Sequence, residues 1–161
     1  MNQGSDSLSN RIMQSTYNKI WKSALSAIQR RNMSRHDLGR KLKQKYPGED
    51  DYISQALDEM THVELINDNR YTEQLVNHLI QRPIGRFKIT METKKRGLDS
   101  DLVQVALMNV GYNEEEMCEK AFEAKDKILQ EVDPRKRKQK MMNFLKNRGF
   151  TNSVIFSLLN Q

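Results

Sequence analysis

The chain has 161 residues, of which 37% are hydrophobic and 30% are charged, a composition typical of a folded protein rather than a disordered one. Lysines and arginines number 27 against 21 aspartates and glutamates, and the net charge of +6 favours an anionic partner. No apolar run reaches the roughly 18 residues of a membrane helix, the start MNQGSDSLSN is not a signal peptide, and one cysteine excludes an internal disulfide. We therefore expect a cytoplasmic protein with no membrane partner.

The predicted elements follow one another in a repeating order along the chain. Residues 1–14 are predicted to be a flexible tail. Three amphipathic segments then recur, each followed by two shorter helical segments, and they are Tyr17–Arg31, Asp68–Arg82 and Glu114–Glu131.

The two shorter segments occur three times with similar sequences. KKRGLDSDLVQVAL, which begins at Lys94, returns as KNRGFTNSVIFSLL, which begins at Lys146, and their glycines Gly97 and Gly149 lie 52 residues apart. A third copy, LKQKYPGEDDYISQAL, lies about the same distance upstream. The spacing predicts three repeats, at residues 15–66, 67–112 and 113–161.

The residues at the turns are those that begin and end helices. Gly97 and Gly149 stand where a helix C-terminus favours a left-handed residue, and Asp99 and Thr151 are placed to cap the next helix. Asp133 is followed by a proline, which is typical of an N-cap and the first helical position. The pattern predicts nine helices and no sheet.

The predicted fold class is therefore all-α, with three tandem three-helix repeats in an elongated, curved arrangement. A unit of about 50 residues has too small a core to be very stable alone, so neighbouring repeats should share buried faces. The nine methionines lie in amphipathic segments and are interpreted as core packing residues.

The sequence offers no catalytic, metal or cofactor site. Its three histidines have no metal-ligand spacing, and neither a phosphate-binding loop nor a dinucleotide fingerprint is present. Cys118 is interpreted as a structural thiol, and the acidic run Glu114–Glu116 as a favourable charge at a helix N-terminus. We expect a protein that is not an enzyme.

The basic residues recur with the repeat. Arg35, Arg86 and Lys138 occupy equivalent positions near predicted helix N-termini, where a positive charge is mildly unfavourable, so local stability does not account for them. The run PRKRKQK, which begins at Pro134, adds more cations in a similar place. Binding to an anion is preferred for this run, although a solvated face remains an alternative.

The sequence resembles a known family over nearly its whole length after the tail. The segment LINDNRYTEQLVNHLIQRPIGRFKITMETKKRGLDSDLVQVAL resembles the central repeat of RecX, the bacterial regulator of the RecA recombinase, and SRHDL and FLKNRGF resemble parts of its first and third repeats. Two departures are Thr93, where the family has leucine, and the loop that contains Pro83. The residues that carry the central match are Leu65, Asp68, Arg70, Tyr71, Leu75, Val76, Gly85, Lys88, Ile89, Glu92, Arg96, Gly97 and Leu98.

The resemblance implies a function and a set of partners. RecX-like proteins bind in the groove of the RecA filament on single-stranded DNA and inhibit its recombinase, ATPase and co-protease activities. We accordingly expect a monomer that binds the RecA filament and binds DNA only weakly when alone. The candidate contact residues are Arg35, Lys43, Arg86, Lys88, Lys94, Lys95, Arg135, Lys136, Arg137, Lys138 and Lys140.

A second interpretation of the same basic residues is an autonomous nucleic-acid-binding protein. Tandem three-helix units similar to helix-turn-helix domains would then place these residues on phosphates without any protein partner. The two interpretations differ in whether nucleic acid alone is bound tightly.

Overall fold

The computed structural model describes the backbone of residues 3–160, with the side chains of residue 11 and of residues 13–160. Within that range the chain forms nine α-helices and no strand, which confirms the predicted all-α fold. The helices are α1 (Gln3–Arg30), α2 (Arg35–Lys45), α3 (Asp50–His62), α4 (Asp68–Leu79), α5 (Arg86–Lys94), α6 (Ser100–Asn109), α7 (Glu114–Asp126), α8 (Pro134–Asn147) and α9 (Asn152–Leu159).

Helix α1 begins earlier than the sequence pattern indicated. Residues 3–14, which fall in the predicted tail, belong to this helix. The flexibility of the tail stays a prediction, and residues 1 and 2 lie outside the described part of the chain. The repeat boundaries likewise stay a prediction, and the chain divides into two compact units, residues 1–71 and residues 72–161.

Unit 1 is built on the packing of α1, α2 and α3 around one apolar core. Ile20 and Ala24 of α1, Leu38 of α2, and Ile53 and Met60 of α3 have no more than 1% of their surface exposed. Removal of a side chain of the size of isoleucine or leucine from water stabilises the fold by about 1.5–3 kcal/mol. This core holds α1 and α2 side by side.

Unit 2 contains a second such core, formed by α7, α8 and α9. Cys118, Leu145 and Ile155 are fully buried in it, and Met141 and Phe150 are nearly so. Burial, and next the charge of Glu114, raises the pKa of the Cys118 thiol to about 11. The interpretation of Cys118 as a structural thiol is confirmed.

The turn residues mostly act as the sequence predicts. Gly97 and Gly149 adopt left-handed φ angles of 63° and 82°. The Asp99 side chain accepts from the backbone N–H of Asp101, and Asp133 caps α8 ahead of a proline at the start of that helix. Thr151 occupies an N-cap position, but the prediction that its side chain caps α9 is wrong.

Two glycines allow the α4–α5 loop to lie directly against the α8–α9 turn. The Gly85 N–H donates to the Arg148 carbonyl and the Phe87 N–H donates to the Gly149 carbonyl, both at 3.0 Å. A Cβ atom on Gly85 would overlap the backbone of Gly149 and Phe150, and one on Gly149 would overlap the backbone of Lys88. Only residues without a side chain permit this approach.

Glu114, the first residue of α7, joins the same two segments. Its side chain is only 6% exposed, and its Oε1 atom accepts from the backbone N–H of Arg86 at 3.0 Å and of Thr151 at 3.1 Å. The Thr151 hydroxyl donates to Oε2 at 3.3 Å and also lies 3.3 Å from the Ser153 hydroxyl. The favourable helix-terminal charge predicted at Glu114 is therefore also a buried acceptor between repeats.

Unit 1 contains the equivalent contact. The backbone N–H of Arg35, at the start of α2, donates to Oδ1 of Asp68 at 2.9 Å, and Asp68 is the first residue of α4. Asp68 and Glu114 therefore play the same part. In each case the first helix of one repeat supplies an acidic side chain to the second helix of the repeat before it.

We expect Gly85→Ala to lower the free energy of unfolding by about 2–3 kcal/mol, because the new methyl group meets backbone that cannot move aside. Gly39→Ala is the control, since its methyl group meets only the Cδ1 atom of Leu57, at 3.1 Å. The control should change stability by less than about 1 kcal/mol. Urea unfolding monitored by circular dichroism measures both, and equal midpoints would contradict the described junction.

Glu114→Ala should lower the free energy of unfolding by about 1–3 kcal/mol, because two backbone N–H groups lose their acceptor. Glu115→Ala removes the neighbouring exposed carboxylate and should change stability by less than about 0.5 kcal/mol. Thermal unfolding of the two variants measures this difference in stability. A Glu114→Ala variant as stable as Glu115→Ala would show that the buried carboxylate contributes nothing.

Candidate functional site

Helix α5 exposes large apolar side chains between lysines. Ile89 and Thr93 face the interior, whereas Phe87 is 64% exposed and Met91 is 52% exposed. Phe87 and Met91 are four residues apart and so lie on one side of the helix, which Lys94 extends by another turn. We call Phe87, Lys88, Met91 and Lys94 the α5 face.

The junction between the repeats fixes the start of α5. The N–H groups of Arg86 and Phe87 are held by Glu114 and Gly149 respectively, and the carbonyl oxygen of Ile84 accepts from the Tyr112 hydroxyl at 2.8 Å. Thr93, which is buried, donates its hydroxyl to the Ile89 carbonyl at 3.0 Å and is thereby satisfied. The α5 face is thus presented on a helix with a firmly bonded N-terminus.

Some of the charged side chains on and around α5 are paired, and others are not. Within the described residues, the side chains of Lys88 and Lys94 are exposed and have no hydrogen-bond or ion-pair partner. Lys95 binds Glu92 at 3.1 Å, and hydrogen bonds from Arg96 and Lys95 lower the pKa of Glu92, which keeps that carboxylate charged. Lys88 and Lys94 are therefore the uncompensated cations of this helix.

Arg86 has a structural role that the sequence did not reveal. Its Nε atom lies 3.7 Å from Oε2 of Glu114, and its guanidinium carbon lies 5.5 Å from the centre of the Tyr112 ring. Arg35 in unit 1 is similar, because its guanidinium binds Asp58 at 2.6 Å and Thr61 at 3.1 Å. Contacts with distant residues, rather than local helix stability, therefore give both arginines a role in the fold.

The remaining predicted contact residue of unit 1 is Lys43. Its Nζ atom lies 2.7 Å from Oδ1 of Asp50, although both side chains are exposed. A binding role for Lys43 stays a prediction, and a partner would have to compete with Asp50.

The basic run at the start of α8 is also divided. Arg137 binds the Asp126 carboxylate at 2.6 Å and the carbonyl of Leu129 at 2.7 Å, so it closes the C-terminal end of α7. Lys138 donates to Asn160, and Lys140 donates to Glu131 and lowers the pKa of that carboxylate.

Two cations of this run have no partner among the described residues. The exposed side chains of Arg135 and Lys136, in the first turn of α8, make no hydrogen bond or ion pair in the part of the chain that the structure describes. With Lys88 and Lys94 they make up the available cations among the predicted contact residues. The structure pairs the other seven within the protein.

Sequence reasoning missed Phe87 and Met91. Both were assigned to no surface, and the methionines were interpreted as core packing, which is wrong for Met91 and also for Met108, 77% exposed on α6. The signal was present: Ile89 and Thr93 define the buried side of α5, and positions two residues away from each project about 200° around the helix.

The described residues show neither a metal site nor a membrane helix. No group of three histidine, cysteine, aspartate or glutamate side chains that could hold a metal ion occurs among them. None of the helices they form is long and apolar enough to cross a membrane. The exposed apolar side chains of the α5 face and the unpaired cations beside them are features that a partner could contact.

Comparison with known proteins identifies the family. The models of the second and third three-helix domains of RecX match residues 67–107 and 113–159. Regulatory protein RecX from Pseudomonas fluorescens SBW25 is 31% identical over 140 residues, which span 87% of this chain and 89% of that protein. Regulatory protein RecX from Chlorobaculum tepidum is 32% identical over 128 residues, 79% of this chain and 78% of that protein.

Solved structures agree in fold. The crystal structure of RecX from Lactobacillus salivarius superposes with a TM-score of 0.76 at 22% identity, and covers 91% of this chain and 96% of its own. A second crystal structure, of a regulatory protein RecX, gives a TM-score of 0.83 at 19% identity over 96% of this chain and 78% of its own. The sequence matches over most of its length, with two domains of the family recognised in order, show that the chain belongs to the RecX family.

Proposed function

We propose that this protein is a regulator that binds the RecA filament on single-stranded DNA and inhibits its recombinase, ATPase and co-protease activities. Membership of the RecX family supports a regulatory role. The observation that carries the choice of partner is the α5 face, where Phe87 and Met91 are exposed beside the unpaired cations Lys88 and Lys94.

The chemistry of the α5 face suits a protein partner better than nucleic acid alone. Aromatic residues and methionine are enriched at the centre of protein interfaces, where they fill pockets and exclude water. Phosphate groups recruit cations but gain nothing from a methionine. Lysines at the edge of such an apolar contact can meet acidic side chains of the recombinase or phosphates of the DNA that it holds.

The α5 face can be tested directly by replacing its four residues. Phe87→Ser, Met91→Ser, Lys88→Gln and Lys94→Gln together should raise the concentration needed for half-inhibition of the cognate recombinase by at least about tenfold, since interface anchors each contribute more than about 1 kcal/mol. Inhibition of DNA-dependent ATP hydrolysis on preformed filaments is the measurement. Arg86 is left intact because it binds Glu114.

The matched control also removes two exposed apolar side chains and two lysines, at other positions. Ile128→Ser and Val132→Ser remove exposed apolar side chains between α7 and α8, and Lys120→Gln and Lys127→Gln remove exposed, unpaired lysines of unit 2. The control should inhibit like the wild type, with both proteins unfolding near the wild-type midpoint. Equal inhibition by the two variants would exclude the α5 face as the contact, and a wild type without effect would refute the regulator proposal itself.

Binding to DNA alone separates this proposal from the autonomous nucleic-acid-binding alternative. We expect weak binding of single-stranded DNA without sequence preference, and replacement of Lys88, Lys94, Arg135 and Lys136 by glutamine should reduce the log–log salt slope by at most about 3, at about 0.7 per phosphate contact. Fluorescence anisotropy at several salt concentrations measures this. Nanomolar, sequence-selective binding at physiological salt would favour the alternative.

A further inference from the structure

Among the described residues, four lysine and arginine side chains, and no carboxylate, line a cleft between α1 and α2. Its lining includes Lys22 and Arg30 from α1 and Lys41 and Lys45 from α2, and it encloses about 230 Å³. None of these residues is among the predicted contact residues, because the positions fall on two helices that only the fold brings together. The cleft lies wholly in unit 1.

The cations of the cleft differ from those that the fold pairs with carboxylates. Arg40 binds Asp37 at 2.9 Å and Lys43 binds Asp50 at 2.7 Å. Lys22, Arg30 and Lys41 have no side-chain partner within the described residues. Like charges that converge on one cleft repel each other, and an anion placed between them removes that repulsion.

A chain of hydrogen bonds holds one wall of the cleft in place. The Nζ atom of Lys45 donates to the Ser23 hydroxyl at 2.9 Å, Ser23 lies 2.7 Å from the Tyr46 hydroxyl, and Tyr46 donates to the Lys19 carbonyl at 3.2 Å. Lys45 keeps two further N–H groups for a ligand. The Ser26 hydroxyl, also in the lining, adds a neutral donor.

The size and extent of the cleft indicate the ligand. About 230 Å³ is smaller than the roughly 300 Å³ or more of a drug-sized site and suits a compact oxyanion. A second depression, lined by Arg11, Ser15 and Asn18, continues along α1 and shares Lys22 with the cleft. From Arg11 to Arg30 the helix rises about 28 Å, which is long enough for several linked phosphates.

We propose that the α1–α2 cleft is a phosphate-binding site, and that its occupant is a phosphate of a polynucleotide backbone that continues along α1. Cations supply the charge, and the serine hydroxyl and Lys45 supply directed hydrogen bonds to phosphate oxygens. The site uses no residue of the α5 face, so this proposal can be tested independently of the proposed regulation of RecA.

The test removes one unpaired cation from each wall. In Lys22→Gln with Lys41→Gln, the affinity for a labelled oligothymidylate of about 10 nucleotides should fall by at least about tenfold. Lys120→Gln with Lys127→Gln makes the same charge change on and just after α7, and should lower the affinity by less than about threefold. Fluorescence anisotropy of the isolated full chain, at one ionic strength, gives both values.

Two further readouts make each outcome decisive. Calorimetric titration with sodium tripolyphosphate distinguishes free from linked phosphates: if the cleft variant loses tripolyphosphate binding but keeps the oligonucleotide, the backbone assignment is overturned. If both variants bind the oligonucleotide equally, the cleft is not the site. The thermal midpoint of the cleft variant should equal or exceed that of the wild type, because repulsion is relieved, whereas a marked fall would assign these lysines a structural role and overturn the proposal.

Discussion

The described structure of unit 2 depends on a buried carboxylate. Desolvation of an ionised group costs several kcal/mol unless charged partners and hydrogen bonds replace the lost water. Glu114 receives them from the Arg86 N–H, the Thr151 N–H and hydroxyl, and the Arg86 guanidinium. These donors belong to different repeats, so the carboxylate is satisfied only when the third repeat packs on the second. The glycines at 85 and 149 permit the approach that brings the donors together.

This dependence gives a physical reason for tandem repeats. Asp68 accepts a hydrogen bond from the Arg35 backbone N–H, and Glu114 accepts one from the Arg86 backbone N–H. In each of the first two repeats, the N-terminus of the second helix is therefore hydrogen-bonded to the repeat that follows. Helix α8 is different, because its first residue, Pro134, has no backbone N–H to donate and the helix begins one turn earlier relative to the shared glycine. A repeat that needs its neighbour for a buried hydrogen bond folds as part of a row rather than alone.

The sequence predicted what is decided by local interactions. Helix ends at Gly97, Asp99 and Gly149 could be placed because a left-handed φ or a capping carboxylate involves only residues a few positions apart. Local patterns could not predict which charged side chains form ion pairs within the fold. Arg86 reaches Glu114 across 28 residues, and no local pattern distinguishes it from Lys88, which is left without a partner. The exposure of Phe87 was accessible from the helical period once Ile89 was assigned to the core.

Pairing within the fold, more than the total charge of +6, determines which cations are available to a partner. Carboxylates hold Arg35, Arg86 and Arg137, whereas Lys88 and Lys94 remain unpaired beside exposed apolar side chains. The α1–α2 cleft presents four cations together with serine hydroxyl groups. One surface therefore suits the mixed chemistry of a protein and the other suits phosphate. An assembly of protein on nucleic acid offers both at once, and neither component alone would satisfy both surfaces.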